Sequence, residues 1–525
     1  MAAAKRYYVT TPIYYVNDVP HIGHAYTTLA CDVLARFKRL DGYDVKFLTG
    51  TDEHGQKVEK SAQDKGIDPQ TFTDQVSQRF RDLLGIMNFS NDDFIRTTEE
   101  RHRLSVQELW KRLKDNGEIY LDKYAGWYSV RDEAFYAESE LTKDAEGAFV
   151  APTGAPVEWV EEASYFFKLS AWGERLLKFY DENPDFILPK TRRNEVTSFV
   201  EGGLLDLSVS RTTFKWGVPV PKDADTDDEH IMYVWLDALT NYITAVGFPD
   251  EQHGEFQTYW PADLHMVGKD ILRFHAVYWP AFLMAAGIEP PKRVFAHGWW
   301  TNEGQKISKS TGNVIDPIEL VETYGLDAVR YFLMREVPFG NDGDFSHTAM
   351  VARMNGELAN DLGNLAQRVL SMVNKNCNAA VPLHGDFNED DLEMLNAARD
   401  AIDKVREHMD VQAFNHALED VWVVVRAGNG YVDRQAPWKL KKEDPARMET
   451  VLYVLAESIR HIALVLQPFM PQAMEQMLDL LMVSHEHRTF DFIGEGHALV
   501  PGTALPKPEG VFPRFVEAEA SEEGK

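Results

Sequence analysis

The sequence predicts an α/β protein in which a parallel-sheet domain, interrupted by an insertion, is followed by an α-helical bundle. Three observations predict it. Over the first hundred residues β-rich runs alternate with helical ones; the same rhythm resumes near residue 259 after an aromatic, turn-rich stretch; and from Met350 apolar residues recur at the helical period.

In chain order, residues 7–15 are rich in aromatic and β-branched side chains, as a strand requires, and residues 21–40 carry a helical pattern. Residues 45–49 read as a second strand and 53–65 as a second helix. This βαβ rhythm implies a parallel sheet whose ligands lie at the carboxyl ends of its strands. Short aromatic strands and turns from Gly117 to Lys222 read as an insertion, and the acidic run over residues 223–229 marks its exit. A strand over 259–267, a helix over 271–286 and a strand over 293–297 then resume the sheet. Helical segments over 391–409, 413–432 and 446–482 suggest an antiparallel bundle. The predicted boundaries are 1–116 and 223–295 for the two halves of the sheet domain, 117–222 for the insertion, 296–349 for a linker and 350–516 for the bundle. The charged, small-residue tail 517–525 is expected to be disordered.

At 525 residues the chain is long enough for two to four domains with ample cores. No run of eighteen apolar residues occurs, and the first six residues hold no apolar signal core, so a cytoplasmic protein without a membrane partner is expected. Cys31 and Cys377 are the only cysteines, which excludes a disulfide framework. The formal net charge of −29 opposes non-specific binding to nucleic acid, which needs local positive charge. Lys190-Thr191-Arg192-Arg193 and the trio Lys439, Lys441 and Lys442 supply two basic clusters, each equally readable as solvated surface.

Two motifs carry chemistry. His21-Ile22-Gly23-His24 sits where a strand gives way to a helix, so two imidazoles flank a glycine at a helix start that already favours an anion. Lys306-Ile307-Ser308-Lys309-Ser310 lies between Gly304 and Gly312, so two cations share a hinged loop. Alone, each reads as well as packing histidines or a solvated lysine turn. Together they suggest one site closing on a nucleoside triphosphate from two sides.

In this order, the segments Thr10 to Asn17 leading into His21, Thr49-Gly50-Thr51-Asp52-Glu53-His54-Gly55, Tyr233-Val234-Trp235-Leu236-Asp237-Ala238, Val267-Gly268-Lys269-Asp270 and Gln435-Ala436-Pro437-Trp438 make the chain resemble the class I aminoacyl-tRNA synthetases, most closely the methionyl family. The resemblance covers nearly the whole chain. It implies a Rossmann-like nucleotide-binding domain with an inserted connective domain and an anticodon-binding bundle. The implied reaction joins L-methionine to tRNA(Met), initiator tRNA included, at the expense of ATP with magnesium. Catalytic roles are then expected of His21, His24, Lys306 and Lys309, and ATP contacts of Gly23, Gly268, Asp270, Lys306, Ser308 and Lys309.

The resemblance further implies a methionine pocket of Ile13, Tyr15, Asp52, Trp235, Leu239, Tyr242, Ile271 and His275. By spacing, Trp235, Leu239 and Tyr242 share one helical face and Ile271 and His275 another, which core packing alone would also explain. A thioether suits aromatic walls, and Asp52 offers a carboxylate to an ammonium group. Leu239 stands where some relatives have proline. Asn364, Arg368 and Trp438 match residues that read a CAU anticodon, in keeping with loop bases splayed onto aromatic and guanidinium planes. Many relatives carry Cys-x-x-Cys where this chain has Ser129 and Asp132, and no Cys or His occurs from Gly117 to Lys222, so no zinc is expected.

Two other readings compete. A synthetase for another aliphatic amino acid would need a large editing insertion, and 117–222 is short for one. A catalytically silent tRNA-binding paralogue would not require the histidines, lysines and Asp52. No further tRNA-binding domain follows the bundle, so a monomer is expected.

Overall fold

The structure is a computed structural model that describes residues 5–16, 19–132, 134–144, 146–222, 225–226, 228–307 and 313–517. The chain separates into two compact units. The first comprises residues 6–31 and 45–297; the second comprises Lys5, 32–44 and the described residues from 298 onwards.

The first unit is built on a seven-stranded sheet. Strands β1 (Arg6–Thr10), β2 (Tyr14–Tyr15), β3 (Asp44–Asp52) and β4 (Asp93–Arg96) come from the first hundred residues. Strands Ile187–Leu188, Leu264–Gly268 and Val294–His297 come from later. β1 pairs in parallel with Leu264–Gly268, which pairs in parallel with Val294–His297, and β2 and β4 both lie parallel to β3. From Val45 to Asp52 every residue of β3 is buried, as expected of a strand covered on both faces. Helix α1 (Ile22–Leu40), of which residues 22–31 belong to this unit, follows β2, and α2 (Gln56–Asp64), α3 (Pro69–Ile86) and α4 (Glu100–Asp115) follow β3 and β4. Tyr8, Leu48, Ile95, Trp110, Trp279 and Phe282 belong to one continuous apolar core.

The expected insertion forms a four-stranded antiparallel sheet around the long pair Ile119–Ser129 and Glu158–Phe167. It also returns a strand to the central sheet. Ile187 and Leu188 pair in parallel with Val294 and Phe295, so this part of 117–222 is an edge of the main sheet. Two residues are too few to show a period.

In the second unit, Asn364–Asn376, Glu389–Asp410, Phe414–Gln435, Pro445–Leu466 and Pro471–Leu480 are the principal helices. The single helix expected over 446–482 is two. Pro468 falls between them and Pro471 sits in the first turn of the second, where its missing N–H costs nothing. Trp300–Asn302, Gln305–Lys306 and Gly343–Phe345 form a small sheet. Its tight turn uses Glu303 and Gly304, both at positive φ.

Candidate active site

At the end of the site expected to take the nucleotide, α1 starts one residue after His21. The His21 and His24 rings pack with centroids 3.9 Å apart and planes tilted by 37°. The His21 backbone N–H donates to His24 Nδ1 at 3.1 Å, and the Gly23 N–H donates to His21 Nδ1 at 3.1 Å. Each Nδ1 is therefore an acceptor, and each neutral ring carries its proton on Nε2, where it serves as a donor. Burial lowers both pKa values, more strongly for His24, which His21 lowers further; Asp270 opposes the fall at His21. Two uncharged N–H donors at a helix N-terminus are chemically suited to phosphate oxygens.

Glycines shape this end. A Cβ on Gly23 would lie 2.9 Å from His21 Cε1, and one on Gly268 would lie 2.5 Å from Asp270 Oδ1. Asp270 follows the carboxyl end of the strand Leu264–Gly268 and folds back over it. Sequence reasoning missed His297, at the end of the neighbouring strand. Thr27 gives its hydroxyl proton to the Gly23 carbonyl, so His297 Nε2–H donates to Thr27 Oγ1 at 2.7 Å and braces the first turn of α1.

The end of the site expected to take the amino acid is aromatic. Trp235 stacks on Phe274 at 3.6 Å with planes 5° apart, and Tyr242 stacks on His265 at 4.0 Å. A carbonyl can only accept, so His275 Nδ1–H donates to the Ile271 carbonyl at 2.9 Å, and Nε2 must accept from the Tyr242 hydroxyl at 2.7 Å. Burial pushes the His275 pKa down to about 4, which keeps the imidazole neutral. Leu239 and Tyr242 belong to the central core, and Ile13, Trp235 and Ile271 pack against it. Tyr15 pairs across the sheet with the buried Asp52, although its ring packs in a separate cluster beside α2 and α3.

The single helical face expected for Trp235, Leu239 and Tyr242 is a correction. The helix Val234–Leu239 ends there, and Tyr242 rides on a separate turn, Asn241–Thr244. Thr240 bonds back to the Leu236 carbonyl at 2.7 Å, and such back-bonding bends helices. Ile271 and His275 likewise lie on different local windings, a 3₁₀ turn over Lys269–Ile271 and a π-helical turn over Phe274–Tyr278. Phe274 was not singled out from sequence. Its place four residues after Asp270, next to His275, was the available signal.

In the second unit, Arg368 donates to Asp433 at 3.0 Å and lies 5.7 Å over the Trp438 ring, which is 45% exposed. Asn364, one helical turn before Arg368, is exposed at the start of Asn364–Asn376. The main chain of Lys306 pairs with Thr301; Ser308 and Lys309 lie outside the described residues, as do the tail from 518 and parts of the acidic run at 223–229. In the insertion, Asp132 N–H donates to Ser129 Oγ at 3.2 Å, and the Asp132 carboxylate accepts from the Tyr136 and Thr153 hydroxyls. These oxygens satisfy one another and do not fit a zinc cage, which prefers thiolate and imidazole.

A family model described as tRNA synthetases class I (M) matches residues 7–370, and the anticodon binding domain of methionyl tRNA ligase matches residues 381–524. The methionine–tRNA ligase of Mesorhizobium japonicum is 57% identical over 513 residues, covering 98% of each chain. That of Rickettsia felis is 58% identical over 512 residues, 97% of this chain and 98% of its own. Mycobacterium tuberculosis methionyl-tRNA synthetase in complex with methionyl-adenylate superposes with a TM-score of 0.94 at 54% identity, over 97% of this chain and all of that one. Together with the paired histidines at the start of α1, these matches establish that the chain belongs to the class I tRNA synthetases of the methionyl (M) family.

Proposed function

We propose that the chain activates L-methionine with ATP, releasing pyrophosphate, and then transfers the methionyl group to the 3′ end of tRNA(Met), including initiator tRNA. The observation that carries this reading is the neutral aromatic pocket of Trp235, Phe274, Tyr242 and His275, in a first unit that also carries Asp52 and the His21–His24 cradle. A methionine carboxylate oxygen forms a bond to the α-phosphorus as the bond to the pyrophosphate oxygen breaks. No covalent enzyme intermediate is needed, so the protein's work is positioning and charge stabilisation.

In this reading His21 and His24 donate from Nε2 to phosphate oxygens, and Gly23 and Gly268 leave room for the nucleotide. Asp270 holds the ribose hydroxyls. Lys306, Ser308 and Lys309 serve the triphosphate, and magnesium arrives with ATP as its counter-ion. Asp52 takes the substrate ammonium; Tyr15, Ile13, Leu239 and Ile271 complete the walls around the thioether. A polarizable sulfur gains from aromatic contact and needs no charge, which the depressed pKa of His275 withholds. A terminal ribose hydroxyl of the tRNA then attacks the activated carbonyl, and AMP leaves. Asn364, Arg368 and Trp438 read the anticodon, and the protein acts as a cytoplasmic monomer.

Methionine-dependent exchange of pyrophosphate into ATP tests the activation half. Exchange is expected with methionine and absent with leucine, isoleucine and valine. No exchange, with tRNA binding intact, would favour the silent paralogue.

A further inference from the structure

Asp237 lies two residues after Trp235 and is fully buried, as are Glu53 and His102. Its two carboxylate oxygens receive two imidazoles from distant parts of the chain. His54 Nδ1 lies 2.6 Å from Oδ2, and His102 Nε2 lies 2.7 Å from Oδ1. Burial alone would raise this carboxyl; the two histidines outweigh it and hold the group at about 2, ionised at any working pH. A carboxylate only accepts, so both imidazoles donate their N–H to it.

Each partner is itself anchored. His54 stands two positions beyond Asp52 and packs edge-on against Trp216, whose indole N–H donates to the Glu53 carbonyl at 2.6 Å. The intervening Glu53 is held on its other side by Arg96 and by the hydroxyls of Thr51 and Thr98. His102 projects from α4, and its Nδ1 reaches Thr244, on the turn that carries Tyr242. Asp237 is thus tied through His54 to the end of β3, where Asp52 sits, and through His102 to the turn bearing Tyr242, while its own helix bears Trp235 and Leu239.

We infer that Asp237 is a positioning residue for the amino acid: through His54 and His102 it fixes the spacing between the carboxylate of Asp52 and the aromatic walls at Trp235 and Tyr242. The inference rests on the proposed methionine pocket. Asp237 is buried behind that pocket and acts on the substrate only through its partners. The ribose and phosphate groups are assigned to His21, His24 and Asp270, none of which bonds to Asp237. Loosening the clamp should therefore weaken methionine recognition and leave ATP recognition nearly intact, which a general loss of structure would not do.

The test is steady-state pyrophosphate exchange with Asp237→Asn, His102→Leu and His102→Gln, each corrected for active enzyme by titration. Gln carries its amide nitrogen where His carries Nε2, so it can restore the donor to Asp237; Leu fills the space and cannot. Asp237→Asn and His102→Leu should raise the methionine KM at least tenfold, with the ATP KM within twofold of the parent. His102→Gln should return the methionine KM to within threefold. A methionine KM unchanged in folded His102→Leu, or methionine and ATP KM values that rise together, would overturn the inference. Should Asp237→Asn fail to fold, the His102 pair decides alone. Absence of exchange in the parent enzyme would instead reject the proposed pocket itself.

Discussion

Replacing Gly23 with alanine adds one methyl group at a point where the structure leaves no room for it. The new Cβ would lie 2.9 Å from His21 Cε1 and 3.1 Å from Nδ1, whereas ordinary contact begins near 3.4 Å. The imidazole must therefore retreat by about 0.5 Å, and the His24 ring packs against it with centroids 3.9 Å apart. Movement stretches the bond from the Gly23 N–H to Nδ1, which fixes the ring's tautomer and costs about 0.5–1.5 kcal/mol when lost. Misaiming the Nε2 donor adds a share of the roughly 3 kcal/mol that one transition-state hydrogen bond supplies. Together these predict a loss of about 1.4–2.7 kcal/mol, or roughly 10- to 100-fold in kcat for pyrophosphate exchange. Methionine affinity should stay within twofold, because the aromatic pocket is untouched. Alanine is the better helix former by at most about 1 kcal/mol, which offsets the strained bond, so Tm should stay close to the parent's, which separates the effect from unfolding. A kcat within twofold of the parent would refute the assignment of His21 as a positioned phosphate donor.

Three further outcomes follow from particular contacts. Trp438→Ala should cut kcat/KM for charging tRNA roughly 5- to 150-fold, equivalent to the about 1–3 kcal/mol of one stacked base, while exchange is unchanged; equal losses in both would mean a structural tryptophan. Arg96→Leu leaves the buried Glu53 carboxylate without its bidentate partner, and denaturant unfolding should show a loss of about 3–5 kcal/mol; a loss below about 1 kcal/mol would contradict the buried pair. His275 titrates near 4 when folded and near 6.5 when unfolded, so its stabilisation is full above about pH 6.5 and drains as pH falls towards 4. Its share of the slope is about 1.4 kcal/mol per pH unit within that window, so unfolding free energies of the parent and His275→Gln at pH 7, 6 and 5 should differ in slope by one proton, and parallel lines would be inconsistent.

Much of the fold was legible in the sequence because local chemistry announces it. The βαβ rhythm follows from side-chain periodicity, and the His21–His24 turn from a glycine between imidazoles. The proposed methionine pocket was suggested only by family resemblance, since aromatic spacing looks the same in a core. What stayed hidden depends on long-range partners. Asp237 meets His54 across 183 positions and His102 across 135, and His297 meets Thr27 across 270. No local pattern encodes such pairs. The break after Leu239 escaped because Thr240 is compatible with a helix until its hydroxyl bonds backwards. The break between Leu466 and Pro471 was readable from Pro468 and Pro471 and was overridden by the strong apolar period on either side.

Aminoacylation bears most directly on the central claim, that one chain both forms methionyl-adenylate and delivers it to a tRNA read by its anticodon. The enzyme would be incubated with ATP, magnesium and labelled methionine together with either a CAU-anticodon tRNA(Met) transcript or the same transcript carrying a different anticodon. The account predicts acid-precipitable methionyl-tRNA from the first and at least a hundredfold lower kcat/KM with the second, with AMP and pyrophosphate released in step. Pyrophosphate exchange without charging of the CAU transcript, or equal charging of both, would contradict it.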